Sequence, residues 1–540
     1  MSRLLNRYAL ILLWLVAFLG VGLVLVSTAR GPGVGGDATV YIFSARSLNN
    51  GIGLGMPGPD GAFQSLSYYP PLFPLSLSVL GIFGVDLAAG ARWLNALLFG
   101  LLVGLTGFSL WRAGRSPLAG LLAALVLAVS PVAIPPYSWA MSEPLANFLG
   151  FLGLACLLIY FEKNAGWNLL IISALLVGLS TITRYAGLPF VAAGAVGIIL
   201  LGIGTYKRRL GEAGFYFVVG LVPAVIWEAW DYLHSASLAS RSLEQGSAGL
   251  ISGLSSFWQS LRLVFLGWIF PDSWLTSFLR SGLLQTLLSL AGIAVVLVWG
   301  ILILRRQAWQ SEPGLFRLVC MMGLFIVIYT GFILATYLFV FPVIDVNQRI
   351  MLPLHIAFIW GIAGLGVLTL RIAGGAVRAR FAVGAVIAAL AVSGWYASRS
   401  ARIVLQNYHD GLGYYSVAWQ SSLTIQQVRQ LPKDTLIVSN EVTAIYFLAG
   451  RPAYNFAELR QPQPVANFYR YGDGPLTNDP AQAIFRQNGA ALVLFSNFSD
   501  DMVSLYGPRT QERIQSLVGG LRIAFSGSDG RIYFYPGASH

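Results

Sequence analysis

Charge is what this sequence has least of. Only 10% of its 540 residues are Asp, Glu, Lys or Arg, against about 25% in a soluble domain. That excludes an ordinary water-soluble enzyme or binding module. Cysteine is nearly absent as well. Cys156 and Cys320 each sit inside an apolar run, so no disulfide between them is expected. The last 140 or so residues contain no Walker motif, no GxGxxG and no CxxC pair, and no repeat recurs at a fixed period along the chain. A nucleotide-cradling site is therefore not expected. The formal net charge of +12 does not argue for nucleic acid, because the basic residues fall in short clusters between apolar segments, the pattern of the positive-inside rule.

What is present is hydrophobic surface: 56% hydrophobic residues and a mean hydropathy of +0.69. A span needs about 20 apolar residues. Runs near 8–28, 87–111, 117–135, 142–161, 167–183, 186–204, 214–233, 283–304, 315–340, 352–370 and 381–398 qualify, about eleven in all. The first is long for a signal peptide and lacks a good cleavage site, so it reads as a retained span. Arg3/Arg7, Arg112/Arg115, Lys163, Lys207–Arg209, Arg305/Arg306 and Arg371/Arg378/Arg380 all fall on one side of such a count. That puts the amino terminus in the cytoplasm and the carboxyl terminus outside. The expected domains are 1–398, transmembrane, and 399–540, extracytoplasmic.

Outer loop one, 29–86, is not a plain linker. Asp37 to Leu48 has helical spacing and ends at Asn49-Asn50-Gly51. Gly51 to Gly61 reads as irregular. The apolar run from Pro71 is about 13 residues, the length of an interfacial helix rather than a span. A second outer loop, about 234–282, is expected to lay Leu261–Phe270 along the membrane surface. In the tail, Ser422–Gln430, Val442–Ala449 and Pro480–Gln487 read as helices, and Thr435–Ser439, Ala490–Phe495 and Arg531–Tyr535 as strands. This alternation suggests a small α/β unit with a parallel-type sheet. Asn497-Phe498-Ser499 is a glycosylation sequon only in a secretory eukaryotic setting.

Ionisable residues at membrane depth are functional candidates by default, and there are few: Asp37, Glu143, Arg184, Asp231 with His234, and Asp345 with Arg349. On the topology above, all lie at the outer face. Bland roles compete with this: a helix cap for Asp37, a helix start for Glu143 and headgroup anchors for the arginines. One reaction explains the set, sugar transfer from a lipid-linked donor. Arginines stabilise the departing phosphate, and a carboxylate takes the acceptor's proton. Asp37 and Glu143 are the catalytic candidates, Arg184 and Arg349 the phosphate binders. Tyr41, Tyr69, Asp231, His234 and Asp345 are possible substrate-lining residues.

Gly36-Asp37-Ala-Thr-Val-Tyr41, Ala45-Arg46-Ser47-Leu48, Tyr69-Pro70-Pro71-Leu72-Phe73-Pro74, Ala91-Arg92-Trp-Leu-Asn95, Ser142-Glu143-Pro144-Leu145, Thr183-Arg184-Tyr185 and Arg349-Ile-Met-Leu-Pro353 together resemble the class-C (GT-C) membrane glycosyltransferases. These include the protein O-mannosyltransferases and the lipid A aminoarabinose transferases. The resemblance covers about residues 5–400. It implies a polytopic α-helical GT-C fold and an inverting transfer from a polyprenyl-phosphate sugar to a glycan, lipid or protein hydroxyl, in a multi-pass protein of the bacterial plasma membrane. It makes Asp37 the base and assigns Arg349, with Arg184, to the phosphate. Asp37 is followed by Ala38 where several relatives carry a second acid, and some relatives have Lys where Arg184 stands. The sequence lacks a clear His/Glu cluster for the metal seen in some relatives, so no cofactor or metal is expected, with a divalent ion as the open alternative. The competing functions are a flippase for a lipid-linked glycan precursor and a non-catalytic membrane scaffold.

Overall fold

The computed structural model describes residues 2–58, 63–66, 69–162, 166–235, 242–243, 250–277, 279–304, 308–341, 344–455, 490–496, 515 and 518–534. The expected helix at 480–487, the sequon at 497–499 and the basic residues Lys163, Arg305 and Arg306 lie outside the described residues. The chain separates into two compact units, Met1–Ala29 with Ser67–His409, and Arg30–Leu66 with Asp410–His540. The boundary expected at 398 falls inside a single helix, Gly375–Asp410.

The first unit is helical. Among the described residues, eight helices are long and apolar enough to cross a membrane: Tyr8–Ser27, Leu87–Gly114, Glu143–Tyr160, Tyr206–His234, Gly282–Ile303, Pro313–Phe339, Leu352–Ile372 and Gly375–Asp410. Shorter apolar helices accompany them, among them Leu72–Ile82, Pro117–Ala128, Trp167–Thr181 and Tyr185–Leu201. The chain is a multi-pass membrane protein. The expected spans 117–135, 167–183 and 186–204 correspond to the last three of these shorter helices. The run 117–135 ends as helix at Ala128 because Pro131 has no N–H to continue it and disfavours helix at Ser130. The Ser130 hydroxyl then accepts from the Val132 and Ala133 N–H groups, closing a turn. Lys207–Arg209 lie within the first turn of Tyr206–Ser235 rather than in a loop. Leu261–Phe270 is the second half of a longer helix, Leu250–Ile269, whose Phe257, Leu261, Val264 and Trp268 are buried in the core.

Packing among these helices uses small residues and satisfied polar groups. Helices Leu87–Gly114 and Pro117–Ala128 approach until a Cβ on Gly120 would strike the Gly107 carbonyl, the close backbone contact that small residues permit in membranes. Trp360 donates to Thr106 at 2.8 Å and Ser173 to the Gly153 carbonyl at 2.7 Å. An aromatic cluster of Phe151, Phe190, Phe325 and Trp360 fills the centre.

The second unit holds helix Asp37–Asn49 and the tail. The helix matches the expectation, with Gly51 following it. The Gly-rich stretch after it is not wholly irregular: Gly55–Pro57 pairs antiparallel with Phe63–Ser65. In the tail, helices Leu423–Gln430 and Val442–Ala449 and strands Ile437–Ser439, Ala491–Phe495 and Gly530–Phe534 lie where expected. Strands Tyr454–Asn455 and Arg522–Ser526 were not foreseen. The five-stranded sheet runs Tyr454–Asn455, Ile437–Ser439, Ala491–Phe495, Gly530–Phe534, Arg522–Ser526. Its first two pairings are parallel and its last two antiparallel. It is mixed, because the turn after Ser526 closes a hairpin that a parallel expectation has no place for.

Asp529 in that turn also caps helix Leu423–Gln430. Ser422 donates to its Oδ2, and Thr424 donates its hydroxyl to Oδ1 at 2.8 Å. Burial works against the charged carboxylate, but these hydrogen bonds outweigh it and hold Asp529 below its usual range. The stability it contributes is present above the unfolded value and is lost as pH falls through the folded one. Asp529→Ala is expected to cost about 1–2 kcal/mol, read as faster hydrogen exchange in Leu423–Gln430 and Gly530–Phe534. The difference from wild type should shrink in acid.

Candidate active site

The first unit brings together three of the residues singled out above. Glu143 opens helix Glu143–Tyr160, with Pro144 behind it in the first turn, where a missing N–H costs nothing. Its side chain is only 6% exposed. Oε1 is 3.1 Å from Arg184 Nη1 and 3.2 Å from Arg349 Nε. One carboxylate is thus shared by two guanidiniums that are 41 and 206 residues away in the chain. Expected as a second catalytic acid, Glu143 touches cations.

Each arginine sits on a turn whose backbone is fixed locally. The Arg184 N–H donates to the Ser180 carbonyl at 3.0 Å, and Gly187 N–H donates back to the Arg184 carbonyl at 2.8 Å. Arg184 Nη1 also reaches Ser142 Oγ at 3.3 Å. Before helix Leu352–Ile372, the Asn347 side-chain oxygen accepts from the N–H groups of Arg349 and Ile350 at 3.0 and 3.1 Å. Tyr329 donates its hydroxyl to the Ile350 carbonyl at 2.6 Å. Arg349 Nη1 lies 3.6 Å from the Met141 sulfur. Asn95 holds the chain just before Glu143 through the Trp139 and Met141 carbonyls, at 2.7 and 3.2 Å. Tyr137 is buried close by, and burial and the Glu143 charge both push its phenol upward.

Asn347, Tyr329, Asn95 and Tyr137 were not among the sequence candidates. Asn347 had a local signal, an Asn two residues before an Arg in a short loop, the Asx-turn spacing, and Asn95 stood in a motif of the resemblance without a role assigned to it. The other three act over long sequence separations.

The remaining candidates are placed differently. Asp37 is the first residue of helix Asp37–Asn49, half-buried, in the second unit. Gly36, not Asp37, occupies the N-cap. Tyr41 is buried on the same helix. Tyr69 is half-buried before helix Leu72–Ile82. Asp231 is fully buried on helix Tyr206–Ser235. His234 is exposed, stacked on Trp230 at 4.3 Å and bonded through Nδ1 to the Trp230 carbonyl at 2.8 Å. Asp345 is exposed and accepts from Asn347 at 2.9 Å. Among the described residues, no group of three or more His, Cys, Asp or Glu side chains is placed to hold a metal ion.

A carboxylate this buried is costly without its partners. Removing one side of such a pair costs about 3–5 kcal/mol, and here removal also leaves two guanidiniums facing each other. Glu143→Ala is expected to lower the thermal unfolding midpoint of the detergent-solubilised protein more than Arg184→Ala does, because the second arginine still neutralises Glu143 in the latter.

No protein-family model and no curated protein matches the chain. Solved structures do. ArnT from Cupriavidus metallidurans bound to undecaprenyl phosphate aligns with 96% of this chain and 97% of its own, at a TM-score of 0.54 and 13% identity. The oligosaccharyltransferase AglB from Archaeoglobus fulgidus, in complex with an inhibitory peptide and a dolichol-phosphate, aligns with 98% of this chain and 74% of its own, at a TM-score of 0.56 and 13% identity. At these identities the likeness is one of fold.

Proposed function

From the GT-C fold that this chain shares with those structures, we propose that it transfers a sugar from a polyprenyl-phosphate donor to an acceptor hydroxyl. The observation that carries the reading is the pair Arg184 and Arg349 around one buried carboxylate. Two guanidiniums held at one place in an apolar body are the kind of group that binds a phosphate. A phosphodiester donor brings the negative charge such a pair recognises.

In this reading the acceptor oxygen attacks the anomeric carbon, and the bond from that carbon to the phosphate oxygen breaks. The electron pair goes to the phosphate, and the arginines meet the charge that grows there. Glu143 keeps the two guanidiniums in place and limits their net charge. Asp37 receives the acceptor proton. A single displacement inverts the anomeric centre. The helical surface accepts the polyprenyl chain. The binding of undecaprenyl phosphate by ArnT and of dolichol-phosphate by AglB supports this donor class. We place the protein in the bacterial plasma membrane with the active face and tail outside, on the distribution of its basic residues.

The test is transfer of labelled sugar from polyprenyl phosphate in membranes. Asp37→Asn is expected to lower kcat by about 10²–10⁴-fold with the donor KM little changed. Arg349→Ala is expected to reduce kcat/KM by about 10²-fold or more. Full activity in Asp37→Asn would remove the base assignment. Full function in the Asp37→Asn/Arg349→Ala double variant would favour a scaffold.

A further inference from the structure

The tail has no part in the chemistry just described, yet the second unit shows what it holds. Val34, three residues before Asp37, makes a parallel bridge with Gly413. The Tyr414 N–H donates to the Val34 carbonyl at 2.8 Å. Gly413 has φ +50°, and a Cβ there would strike the Val34 backbone, so only glycine permits this approach. Phe43, six residues after Asp37, is 4% exposed. Its ring centroid is 4.2 Å from that of Tyr446 and 6.3 Å from that of Phe447. Both aromatics come from helix Val442–Ala449. On the same helix as Phe43, the Arg46 guanidinium lies 4.9 Å from the Phe43 ring centroid.

These two attachments form one structure. Phe447 also packs against Tyr414 and Tyr415, at 5.6 and 5.7 Å, and Tyr414 exchanges a hydrogen bond with Thr443. Helix Val442–Ala449 in turn rests on the sheet, through Ile445 in the core with Ile437, Val493 and Ile532. The tail's sheet is therefore connected, contact by contact, to both sides of Asp37. Helix Asp37–Asn49 is 13 residues long, a length that is marginal on its own. Aromatic pairs of this kind add attraction beyond their burial, so the tail supplies order the helix does not have by itself.

We propose that the tail is a positioning domain for the Asp37 helix, with Gly413, Tyr446 and Phe447 as positioning residues. The proposal rests on Asp37 as the base. Displacing a catalytic group by about 1 Å costs about 10²-fold in rate, so a tail that fixes this helix sets turnover without touching substrate.

The experiment uses the full chain in detergent or nanodiscs, with Phe447→Ala as the probe and Phe447→Leu as a milder variant in case Ala fails to fold. Phe447→Ala is expected to lower kcat about tenfold or more with donor and acceptor KM unchanged, and Phe447→Leu to lose less. Hydrogen exchange in Asp37–Asn49 is expected to quicken. In an Asp37→Asn background, Phe447→Ala should add no further loss. A wild-type kcat in both Phe447 variants, or a full additional loss in that background, overturns the proposal. A raised acceptor KM at constant kcat also overturns it and makes the tail an acceptor-binding module. If Asp37→Asn alone keeps full activity, the base reading is what fails. Exchange in Asp37–Asn49 then still reports whether the tail orders the helix.

Discussion

A carboxylate kept from water inside an apolar body must be neutralised where it stands, and Glu143 imposes that requirement on the first unit. Its two partners come from segments far apart in sequence, so three places in the chain have to meet: the start of helix Glu143–Tyr160, the turn after Trp167–Thr181 and the turn before Leu352–Ile372. A flexible arginine would lose side-chain entropy to stay there. The structure reduces that cost by fixing the backbone on which each arginine stands, through Ser180 and Gly187 on one side and Asn347 and Tyr329 on the other. The second guanidinium turns a structural ion pair into a cluster of two cations around one carboxylate.

The same economy of polar groups runs through the rest of the helical unit. Between helices in lipid the hydrophobic effect supplies little attraction, and outward residues such as Phe83, Leu233 and Ile251 are 78–85% exposed without penalty in that medium. Specific register comes instead from close backbone approach and from satisfied polar groups. Ser130 meets His355 at 3.0 Å, and Ser400 donates to the Val129 carbonyl at 2.7 Å, both just before the break at Pro131. Arg399 donates to the Gly267 and Trp268 carbonyls, satisfying the open end of helix Leu250–Ile269. A backbone end inside an apolar body needs such a partner.

Long apolar runs were legible because composition and length alone specify a span, and Val442–Ala449 was legible to the residue because Gly450 stops it in the left-handed region. What escaped was set by other terms. The 117–135 run is apolar throughout, so its composition concealed the end that Pro131 enforces. Helix Gly375–Asp410 continues through a polar stretch that hydropathy assigned to the tail. Strand Arg522–Ser526 is mostly exposed, and with no buried face it carries no alternation to read. At the site, Glu143, Arg184 and Arg349 stood out as charges beside apolar segments. That they share one oxygen was invisible, since nothing local couples residues 41 and 206 positions apart.

The two units are ordered by different physics, and that bears on how the proposed chemistry divides. The arginine cluster depends on charge pairing in an apolar body, which salt screens little and which any loss of a partner damages severely. The Asp37 helix depends on aromatic packing and one glycine-enabled bridge, with the sheet and its Asp529-capped helix behind them. Those contacts are individually small and additive over several residues. Binding of the donor phosphate therefore rests on an arrangement that is intact or broken, whereas placement of the base rests on one that can be adjusted in steps. Under the proposed reading, variation in the tail has room to tune turnover while the phosphate site stays fixed, and this gives a physical reason for the chain to carry a sheet domain behind the Asp37 helix.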